Sequence, residues 1–467
     1  MKKRNIIGYT LLFIAIFSYV LVLFYLNKID IIPIKYCYIF SFIEFFIIMF
    51  CLIFNKVKNF ILNYISIFIV IVIIIINSFG LYYTRHIDLF LDNNFTSDII
   101  RSNTYYLLTS KNNGISKYEE MVSNSNVYCY SLGSDYNKAT SKVGNYNYSI
   151  LDNLDEFFID SLNNDNYLLI EKNIYNMILN ENKEYDSINY KIVLEFDINS
   201  SLKRNEELKD AYTILITGKD FSGANDFNML VVINTRSREI MLLSIVRDYN
   251  IPVYGTSTRD NVPTLNLYGA DIPRKSIGEF FGVDIDFVLD FDTTDFVKII
   301  DKIGGLNYCS PTSYYTSHAV VLGTYNDSGK KLRVKSGCFD YSGIEILTII
   351  RERIKIDYHE NQRQLNCRKV LKAVVEKILS QSNLLNYTSV LDSFDGLYDT
   401  DLNRKTITSL VRSLLSNDDY KIYEYLATGK QSRGWVLKGT KWGWPVTPDE
   451  NQVKEIKAKI QEVLNNK

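Results

Sequence analysis

The sequence predicts an α/β protein in which a β-sheet is covered by helices and is preceded by a small α/β domain and three transmembrane helices. Three observations predict this fold. Three apolar runs of membrane-spanning length lie within the first 85 residues, the composition changes at about residue 84, and strand-like and helix-like segments alternate from about residue 205 onward. Alternation of strands with helices is typical of a sheet whose faces are buried under helices.

Length and composition set the number of domains. The chain has 467 residues, enough for about three domains at ~150 residues each. Its net charge of −1 gives no electrostatic reason to expect nucleic acid as a partner. The hydrophobic fraction of 47% is near that of soluble proteins, but nearly all of the excess lies at the N-terminus. We expect four segments: a three-helix transmembrane anchor at 1–85, an accessory domain at 86–204, a main domain at 205–385 and a C-terminal extension at 386–467.

The predicted anchor consists of apolar runs at 6–26, roughly 36–54 and roughly 60–81. Each reaches the ~20 residues that a helix needs to cross about 30 Å of hydrocarbon. Because the runs lack a polar face, they are not typical of core helices in a soluble protein.

Basic residues predict the orientation of the anchor. Residues 2–4 are all basic, and Lys56 and Lys58 lie between the second and third runs, so both regions favour the cytoplasmic side. Lys28 and Lys35 in the first loop weaken this bias without reversing it. Three crossings then place the rest of the chain on the outer face of the cell membrane.

The accessory segment shows short signals for both helix and strand. An apolar-periodic stretch at 154–162 predicts a helix, and 166–170 and 190–196 predict strands. This pattern indicates a small α/β domain, and a simple spacer is the alternative.

The main domain begins with a predicted strand at 213–218. After it the sequence predicts a glycine-bearing loop at 219–225, a β-hairpin at 228–247, a helix at 274–282, a strand at 286–292 and a helix at 293–305 that opens on a threonine cap.

Two acidic residues flank the predicted hairpin. If its turn is centred near Ser237, cross-strand pairing places Asp226 almost opposite Asp248 at the open end. Two carboxylates that close repel each other unless a cation or a proton lies between them. Arg247 is adjacent, and a carboxylate pair beside a guanidinium is the chemistry expected for holding a divalent metal against a phosphate.

Two basic clusters follow downstream. Arg351 and Arg353 are two residues apart, so they point the same way only if a helix gives way to extended chain there. Arg363 and Cys367 are four residues apart and share a helical face. Each cluster alone is typical of a solvated charged surface, and its significance comes from occurring together with the acidic pair.

In this order the segments resemble the LytR-CpsA-Psr family over about residues 210–380, with a weaker continuation to the end. The blocks that carry the resemblance are T-I-L-I-T-G-K-D (213–220), N-D-F-N-M-L-V-V-I-N (225–234), M-L-L-S-I-V-R-D (241–248), T-L-N-L-Y-G-A (264–270), D-F-V-K-I-I-D-K-I-G-G-L (295–306), I-R-E-R (350–353) and Q-R-Q-L-N-C-R-K-V-L-K-A (362–373). The three-crossing anchor and the accessory module resemble the capsule-associated CpsA branch.

The resemblance implies a mixed sheet sandwiched between helices and a specific activity. Such an enzyme takes a glycopolymer, either capsular polysaccharide or teichoic-acid type, from a polyprenyl-pyrophosphate carrier and joins it to peptidoglycan through a phosphodiester. Capsule-assembly proteins are further expected partners.

The resemblance also implies roles for particular residues. Asp226 and Asp248 match the metal-binding acids, which would hold Mg²⁺ or Mn²⁺, and together with Arg247 they are the expected catalytic residues. The residues expected to bind the pyrophosphate are Arg247, Arg351, Arg353, Arg363 and Cys367.

The sequence departs from the family pattern at three positions. Thr264 stands where a lysine is common, Asn225 or Ala224 where an arginine is common, and Cys367 where a glutamine is common. These losses leave open a second function, that of a non-catalytic lipid-pyrophosphate-binding or regulatory component of a polysaccharide export complex.

Two further features concern stability and the C-terminus. Cys309 and Cys338 could form a disulfide in an oxidising compartment or remain free thiols. The aromatic and glycine-rich stretch at 434–445 could form a platform for a glycan or a surface loop that packs under its own aromatic rings. The amphipathic stretch at 448–464 predicts a helix that caps the main domain.

Overall fold

The structure is a computed structural model. It describes residues 2–57, 59–96, 99–130, 135–151, 166–181, 190–202, 207–220, 224–269, 271–322, 330–356, 359–378, 391, 394–416, 420–436, 438 and 441–466. The predicted helix at 154–162 and the predicted boundaries at 204/205 and 385/386 lie outside the described residues.

Three long helices open the chain: α1 (Lys2–Ile29), α2 (Ile34–Lys56) and α3 (Phe60–Phe95). All three are long and apolar enough to cross a membrane, as predicted. Polar side chains meet between them, because Asn77 donates hydrogen bonds to Glu44 at 2.6 Å and to Ser18 at 3.2 Å. The third helix continues past residue 85 to Phe95, so it extends beyond the expected anchor.

The accessory segment forms a domain around a five-stranded sheet with the order β3-β2-β4-β1-β5. Its elements are β1 (Ile99–Ser110), β2 (Asn126–Tyr130), α4 (Tyr136–Val143), β3 (Asn147–Leu151), β4 (Tyr167–Glu171), α5 (Lys172–Glu181) and β5 (Tyr190–Leu202). Both faces of the sheet are buried, with Leu107 and Leu169 in one apolar cluster and Leu108 and Leu168 in another. This segment therefore contains a sheet that is covered on both faces.

The described residues from 207 onward form the main domain. Its strands are β6 (Ala211–Lys219), β7 (Asn225–Asn234), β8 (Glu239–Ile245), β9 (Asn250–Pro252), β10 (Arg259–Asn261), β11 (Phe287–Asp292), β12 (Leu306–Ser310), β13 (Tyr314–Ala319), β14 (Lys331–Val334), β15 (Gly337–Tyr341), β16 (Asp399–Thr400), β17 (Lys421–Ala427), β18 (Gly429–Gln431), β19 (Gly434–Val436), β20 (Lys441–Gly443) and β21 (Val446–Pro448). Its α-helices are α6 (Ile272–Phe281), α7 (Thr293–Lys302), α8 (Gly343–Arg351), α9 (His359–Ile378), α10 (Arg404–Leu414) and α11 (Glu450–Asn465).

Six strands form the central sheet in the order β16-β11-β6-β7-β8-β17. β11 runs parallel to β6 and β17 runs parallel to β8, whereas β6, β7 and β8 are antiparallel neighbours. The sheet is therefore mixed, and the predicted hairpin is present as β7 and β8.

Helices cover both faces of this sheet, because its strands are apolar on both sides. On one face Leu215 and Met241 pack against Ile277 of α6 and Ile460 of α11. On the opposite face Ile214 and Met229 lie in a cluster with Phe95 of α3 and Leu410 of α10. The predicted arrangement of a mixed sheet between helices is confirmed.

The anchor is joined to the main domain by ion pairs as well as by apolar packing. Asp88 of α3 accepts hydrogen bonds from Lys28 Nζ at 2.6 Å and from Arg404 of α10 at 2.6 Å. Helix α3 therefore runs from the predicted membrane span directly onto one face of the central sheet.

The cap of α7 differs from the prediction. The N-cap is Asp292, whose side chain accepts a hydrogen bond from Asp295 N at 2.7 Å, and Thr293 is the first helical residue. An aspartate just before the helix competes well for this position because its carboxylate accepts the exposed backbone N–H groups.

Candidate active site

A β-bulge positions Asp226 at the start of β7. Gly218 pairs with Phe227, but the next residue, Lys219, pairs with Asn225. Asp226 is therefore the extra residue in this strand, and a bulge of this kind turns a side chain away from the regular alternation. Phe227 keeps its place on the sheet face, with its ring 6.3 Å from that of Phe291.

Arg247 binds Asp226 across the open end of the hairpin. In the hairpin Met229 pairs with Ser244. The same register, extended to the open end of the hairpin, places Arg247 opposite Asp226. The prediction had Asp248 in this position, so the predicted register is wrong by one residue. Arg247 Nη1 donates a hydrogen bond to Asp226 Oδ1 at 2.8 Å. The same nitrogen lies 3.9 Å from Asp220 Oδ2.

Arg363 of α9 binds Asp226 from a second direction. Its Nη1 donates to Asp226 Oδ2 at 3.2 Å and its Nη2 donates to the Asp226 carbonyl at 3.1 Å. Arg363 is only 2% exposed, so its charge is balanced inside the protein. Both carboxylate oxygens of Asp226 thus accept hydrogen bonds from guanidinium groups.

Arg351 and Arg353 are carried by a turn at the end of α8. The helix ends at Arg351, and Glu352 has extended dihedral angles, with φ −68° and ψ 130°. This change from helix to extended chain is the condition under which the two arginines project to the same side.

Glu352, between the two arginines, is buried and holds the turn in place. Its carboxylate accepts hydrogen bonds from Ile354 N at 2.7 Å, from Lys355 N at 3.0 Å and from Ser317 Oγ at 2.8 Å. Burial raises the pKa of Glu352, but these donors outweigh burial and hold the pKa below its usual range.

All four predicted arginines act on Asp226. Burial raises the pKa of this carboxyl, but the positive charges of Arg363, Arg247, Arg353 and Arg351, in that order, lower it well below its usual range. Asp226 is therefore a stable carboxylate at neutral pH. The clusters that the sequence placed far apart along the chain form one cationic wall around a single buried anion.

Asp248 follows Arg247 in the chain but makes different contacts. Its carbonyl accepts a hydrogen bond from Val446 N at 2.7 Å, and its Oδ1 lies 3.5 Å from Asn261 Nδ2. The half-buried Asp248 is thereby tied to β10 and to the C-terminal strand β21.

The donor set is chemically suited to a hard divalent cation, because carboxylate oxygens are preferred ligands of Mg²⁺ and Mn²⁺. Among the described residues, no group of three or more His, Cys, Asp and Glu side chains could hold a metal ion. Both oxygens of Asp226 already bind guanidinium groups. A cation therefore fits at Asp226 only together with an anion, such as a phosphate, that takes over the arginines.

Two of the residues that depart from the family pattern contact backbone carbonyls. Cys367 is buried, with its Sγ 4.0 Å from the Ile350 carbonyl, just before Arg351. Thr264 Oγ1 donates to the Asn261 carbonyl at 2.8 Å. This contact places Cys367 next to the end of α8, and its binding of pyrophosphate stays a prediction.

A cavity of about 960 Å³ lies between the sheet and α6. Asn225 and Thr217 line it, and neither Asn225 Oδ1 nor Thr217 Oγ1, both buried, has a hydrogen-bond partner. Lys219, Arg274 and Asp290 also line it. The lining is mixed, because Leu215, Ile285 and Val288 also face this cavity.

Two features of the site were missed at the sequence level. Asp220 Oδ2 lies 3.9 Å from Arg247 Nη1. In the sequence only its position, an acidic residue between a predicted strand and a loop, indicated a role in the site. The sequence gave no indication that Thr217 Oγ1 and Asn225 Oδ1 lack hydrogen-bond partners, because buried polar side chains usually have them.

Comparison with known proteins identifies the relatives of this fold. A sequence model of the LytR_cpsA_psr family matches residues 171–461, which is more than half of the chain. The chain belongs to the LytR-CpsA-Psr family. The match extends beyond the 210–380 resemblance and includes most of the C-terminal extension.

Individual relatives are distant. The chain is 26% identical over 250 residues to the polyisoprenyl-teichoic acid–peptidoglycan teichoic acid transferase TagT of Bacillus subtilis (strain 168), covering 49% of this chain and 74% of that protein. It is 22% identical to TagV of the same organism over 282 residues, covering 57% and 69%. The crystal structure of B. subtilis TagV aligns with a TM-score of 0.46 and 19% identity, covering 56% of this chain and 100% of that one.

Proposed function

We propose that this LytR-CpsA-Psr protein is a membrane-anchored, metal-dependent phosphotransferase. Its substrate is a glycopolymer of the capsular or teichoic-acid type on a polyprenyl-pyrophosphate carrier, and its product is that polymer joined to peptidoglycan through a phosphodiester. The observation that carries the proposal is the pair of guanidinium groups, those of Arg247 and Arg363, that donate hydrogen bonds to buried Asp226. The names of TagT and TagV, both teichoic acid transferases, support the substrate class.

The arginine wall suits a diphosphate. A guanidinium binds two phosphate oxygens at once through its planar fork, and several fixed guanidiniums stabilise charge that grows during the reaction. Asp226 balances two of these groups directly, at 2.8 Å and 3.2 Å. A diphosphate offers the same kind of oxygen, so it can replace Asp226 as the partner of Arg247 and Arg363 without leaving their charges uncompensated.

Metal dependence is part of the proposal. Asp226 and Asp248 would hold Mg²⁺ or Mn²⁺, which would supply positive charge to the diphosphate when bound. Release of Asp226 from its arginines by the incoming diphosphate makes the carboxylate available for this role.

The reaction forms one bond and breaks one bond at phosphorus. A sugar hydroxyl of the acceptor attacks the phosphorus nearer the glycan, and the bond from that phosphorus to the bridging oxygen breaks, so prenyl phosphate leaves with the electron pair. The hydroxyl proton must go to a base. Asp248 is the proposed proton acceptor, through a carboxylate oxygen that the metal would leave free.

The proposed location is the outer face of the cell membrane. The three helices provide the anchor, and the basic N-terminus favours the cytoplasm. Cys309 and Cys338 form a disulfide between paired positions of β12 and β15. Such bonds persist in oxidising compartments, which agrees with an extracytoplasmic main domain. Capsule-assembly proteins are proposed as neighbours in the membrane.

The test uses the full chain in detergent micelles, a polyprenyl-pyrophosphate-linked glycan and peptidoglycan. We expect release of prenyl phosphate and a polymer–peptidoglycan product with Mg²⁺ or Mn²⁺, and neither product with EDTA. The R353A variant should lose most of this activity, whereas R333A, which removes an exposed arginine on β14, should keep it. Equal activity of the two variants would contradict the proposed site.

Binding without turnover is the informative negative result. If the protein binds the lipid diphosphate but gives no product with either metal, it is a non-catalytic binding component, as the three departures from the family pattern allow.

A further inference from the structure

All three tryptophans of the chain lie in one short segment, and all three are exposed. Trp435, Trp442 and Trp444 are 62%, 50% and 54% exposed. Large exposed aromatic side chains are costly in water, so a cluster of them commonly marks a binding surface. We call these three residues the tryptophan platform.

Two short strand pairs build the platform. β19 pairs with β20, so that Trp435 stands opposite Trp442 with ring centroids 5.1 Å apart and planes at 75°. Below them β18 pairs with β21. A Cβ atom on Gly429 would lie 1.8 Å from the Thr447 carbonyl oxygen, so only glycine permits this close approach.

The base of the platform is fixed between the two domains. Val436, next to Trp435, is buried in an apolar cluster with Tyr130 and Leu168 of the accessory domain. Lys438 N donates to Asp260 Oδ2 at 2.7 Å, and Lys438 Nζ lies 4.3 Å from the centre of the Tyr130 ring. The tryptophans thus project from a rigid base and are held ready for a ligand.

The platform adjoins the candidate active site. Val446, two residues after Trp444, donates its N–H to the Asp248 carbonyl at 2.7 Å and forms a parallel bridge with Tyr249. Trp444 therefore lies two residues along the chain from this contact with Asp248.

The chemistry of these side chains fits a glycan. The C–H face of a sugar ring carries slight positive charge and packs on the negative face of an aromatic ring. The guanidinium of Arg433 lies over one face of the Trp444 ring, 4.9 Å from its centre, where it can donate hydrogen bonds to a sugar beside that ring. Several rings on neighbouring strands suit a chain of sugars better than one sugar.

We propose that the tryptophan platform binds the glycan strand of peptidoglycan and presents an acceptor hydroxyl to Asp248. This inference rests on the proposed transferase function. The donor is held through its diphosphate at Arg247 and Arg363 and comes from the membrane, so a separate exposed surface is needed for the polymer that receives it.

A membrane-docking role for the platform is disfavoured by its position. Arg404 of α10 binds Asp88, and Lys35 of α2 donates to the Ser416 carbonyl at 2.8 Å, so the chain just before β17 contacts the anchor. β17 then runs seven residues, which is ~23 Å of extended chain, before it reaches β18. The platform thus lies at the other end of this strand.

Tryptophan fluorescence reports on the platform alone, because the chain has only three tryptophans. The experiment uses the full chain in lipid nanodiscs and peptidoglycan glycan strands freed of their peptides. We expect these glycan strands to shift the tryptophan emission to shorter wavelength and to protect the tryptophans from quenching by iodide. Donor glycopolymer without its lipid, at the same sugar concentration, should have little effect.

Variants connect this binding to transfer. Loss of one stacked ring in W442A or W444A should raise the KM for glycan strands about tenfold and change kcat little. W444F keeps a ring and should retain most of the affinity, which separates ring stacking from misfolding. Y315A is the matched control, because Tyr315 is also exposed and has a guanidinium, that of Arg333, 6.0 Å from its ring.

The outcomes separate this inference from the proposed function. Unchanged emission and unchanged KM, in a protein that still releases prenyl phosphate, would overturn the platform and leave the transferase intact. Quenching by brominated lipids in the nanodisc would overturn it in favour of membrane docking. Glycan-dependent emission in a protein without turnover would support the platform and contradict the transferase.

Discussion

Arg363 holds Asp226 at two points, its carboxylate at 3.2 Å and its backbone carbonyl at 3.1 Å. Arg363 and Asp226 are 2% and 8% exposed, so water compensates little of either charge. Each residue needs the other, because a buried charge without a partner costs several kcal/mol. The pair thus links the stability of the main domain to the chemistry of the site.

The first prediction concerns this pair. D226N leaves Arg363 buried with a neutral partner, which should lower the free energy of unfolding by ~3–5 kcal/mol and abolish transfer. Thermal unfolding of the full chain in detergent measures the first effect. D210N is the matched control, because Asp210 pairs with Arg236 at 3.7 Å but both side chains are exposed, so its loss should cost less than ~1 kcal/mol. Equal losses in the two variants would show that Asp226 and Arg363 do not depend on each other.

The second prediction concerns pH. The pKa of Asp226 lies below its unfolded value of about 3.9, because four guanidiniums outweigh burial. A lowered pKa stabilises the fold above the unfolded pKa and ceases to do so as the pH falls through the folded pKa. Stability from this group should therefore be constant between about pH 7 and pH 5 and fall below about pH 4. In denaturant titrations at several pH values, the free energy of unfolding of D226N should fall less steeply below about pH 4 than that of the wild type. An unchanged slope would show that Asp226 is not the group responsible.

Much of the fold was predictable because it depends on periodicity. The transmembrane runs, the β7–β8 hairpin and the alternation of strands and helices each repeat over many residues, so single errors matter little. The spacing of Arg351 and Arg353 gave only a condition, that the helix must end there if the two side chains share one side, and the helix does end at Arg351.

The details of the site depend on single residues and were harder to predict. A register one residue from the predicted one places Arg247 opposite Asp226, and the bulge at Asp226 is visible only once β6 and β7 are paired. The exposure of Trp435 depends on Val436 packing against the accessory domain, a contact between distant parts of the chain. No local pattern encodes such contacts.

The third prediction concerns Glu352, a positioning residue. E352Q loses the charge that fixes the turn between Arg351 and Arg353, so it should raise the KM for the lipid diphosphate about tenfold and change kcat less. E352D, which keeps the charge, should restore part of the affinity.

The control for this prediction lies at the other end of α8. Glu345 caps the helix start by accepting from Ser342 N at 2.9 Å. E345Q should reduce stability by up to ~1 kcal/mol and leave the KM unchanged. A similar rise in KM for both variants would mean that general loss of stability, not the position of the arginines, explains the effect.

The final prediction concerns the disulfide between Cys309 and Cys338, which closes a loop with a sequence separation of 29. Closing such a loop lowers the entropy of the unfolded chain, which stabilises the folded state by about 3–4 kcal/mol. Reductant should therefore lower the Tm of the wild-type protein and have no effect on the C309S/C338S double variant. C129S, which removes a buried free thiol, should respond to reductant as the wild type does.

Both disulfide cysteines are exposed, so a maleimide probe reaches them if they are thiols. Labelling of Cys309 and Cys338 in protein isolated without reductant would contradict the bond and remove its support for an outer location.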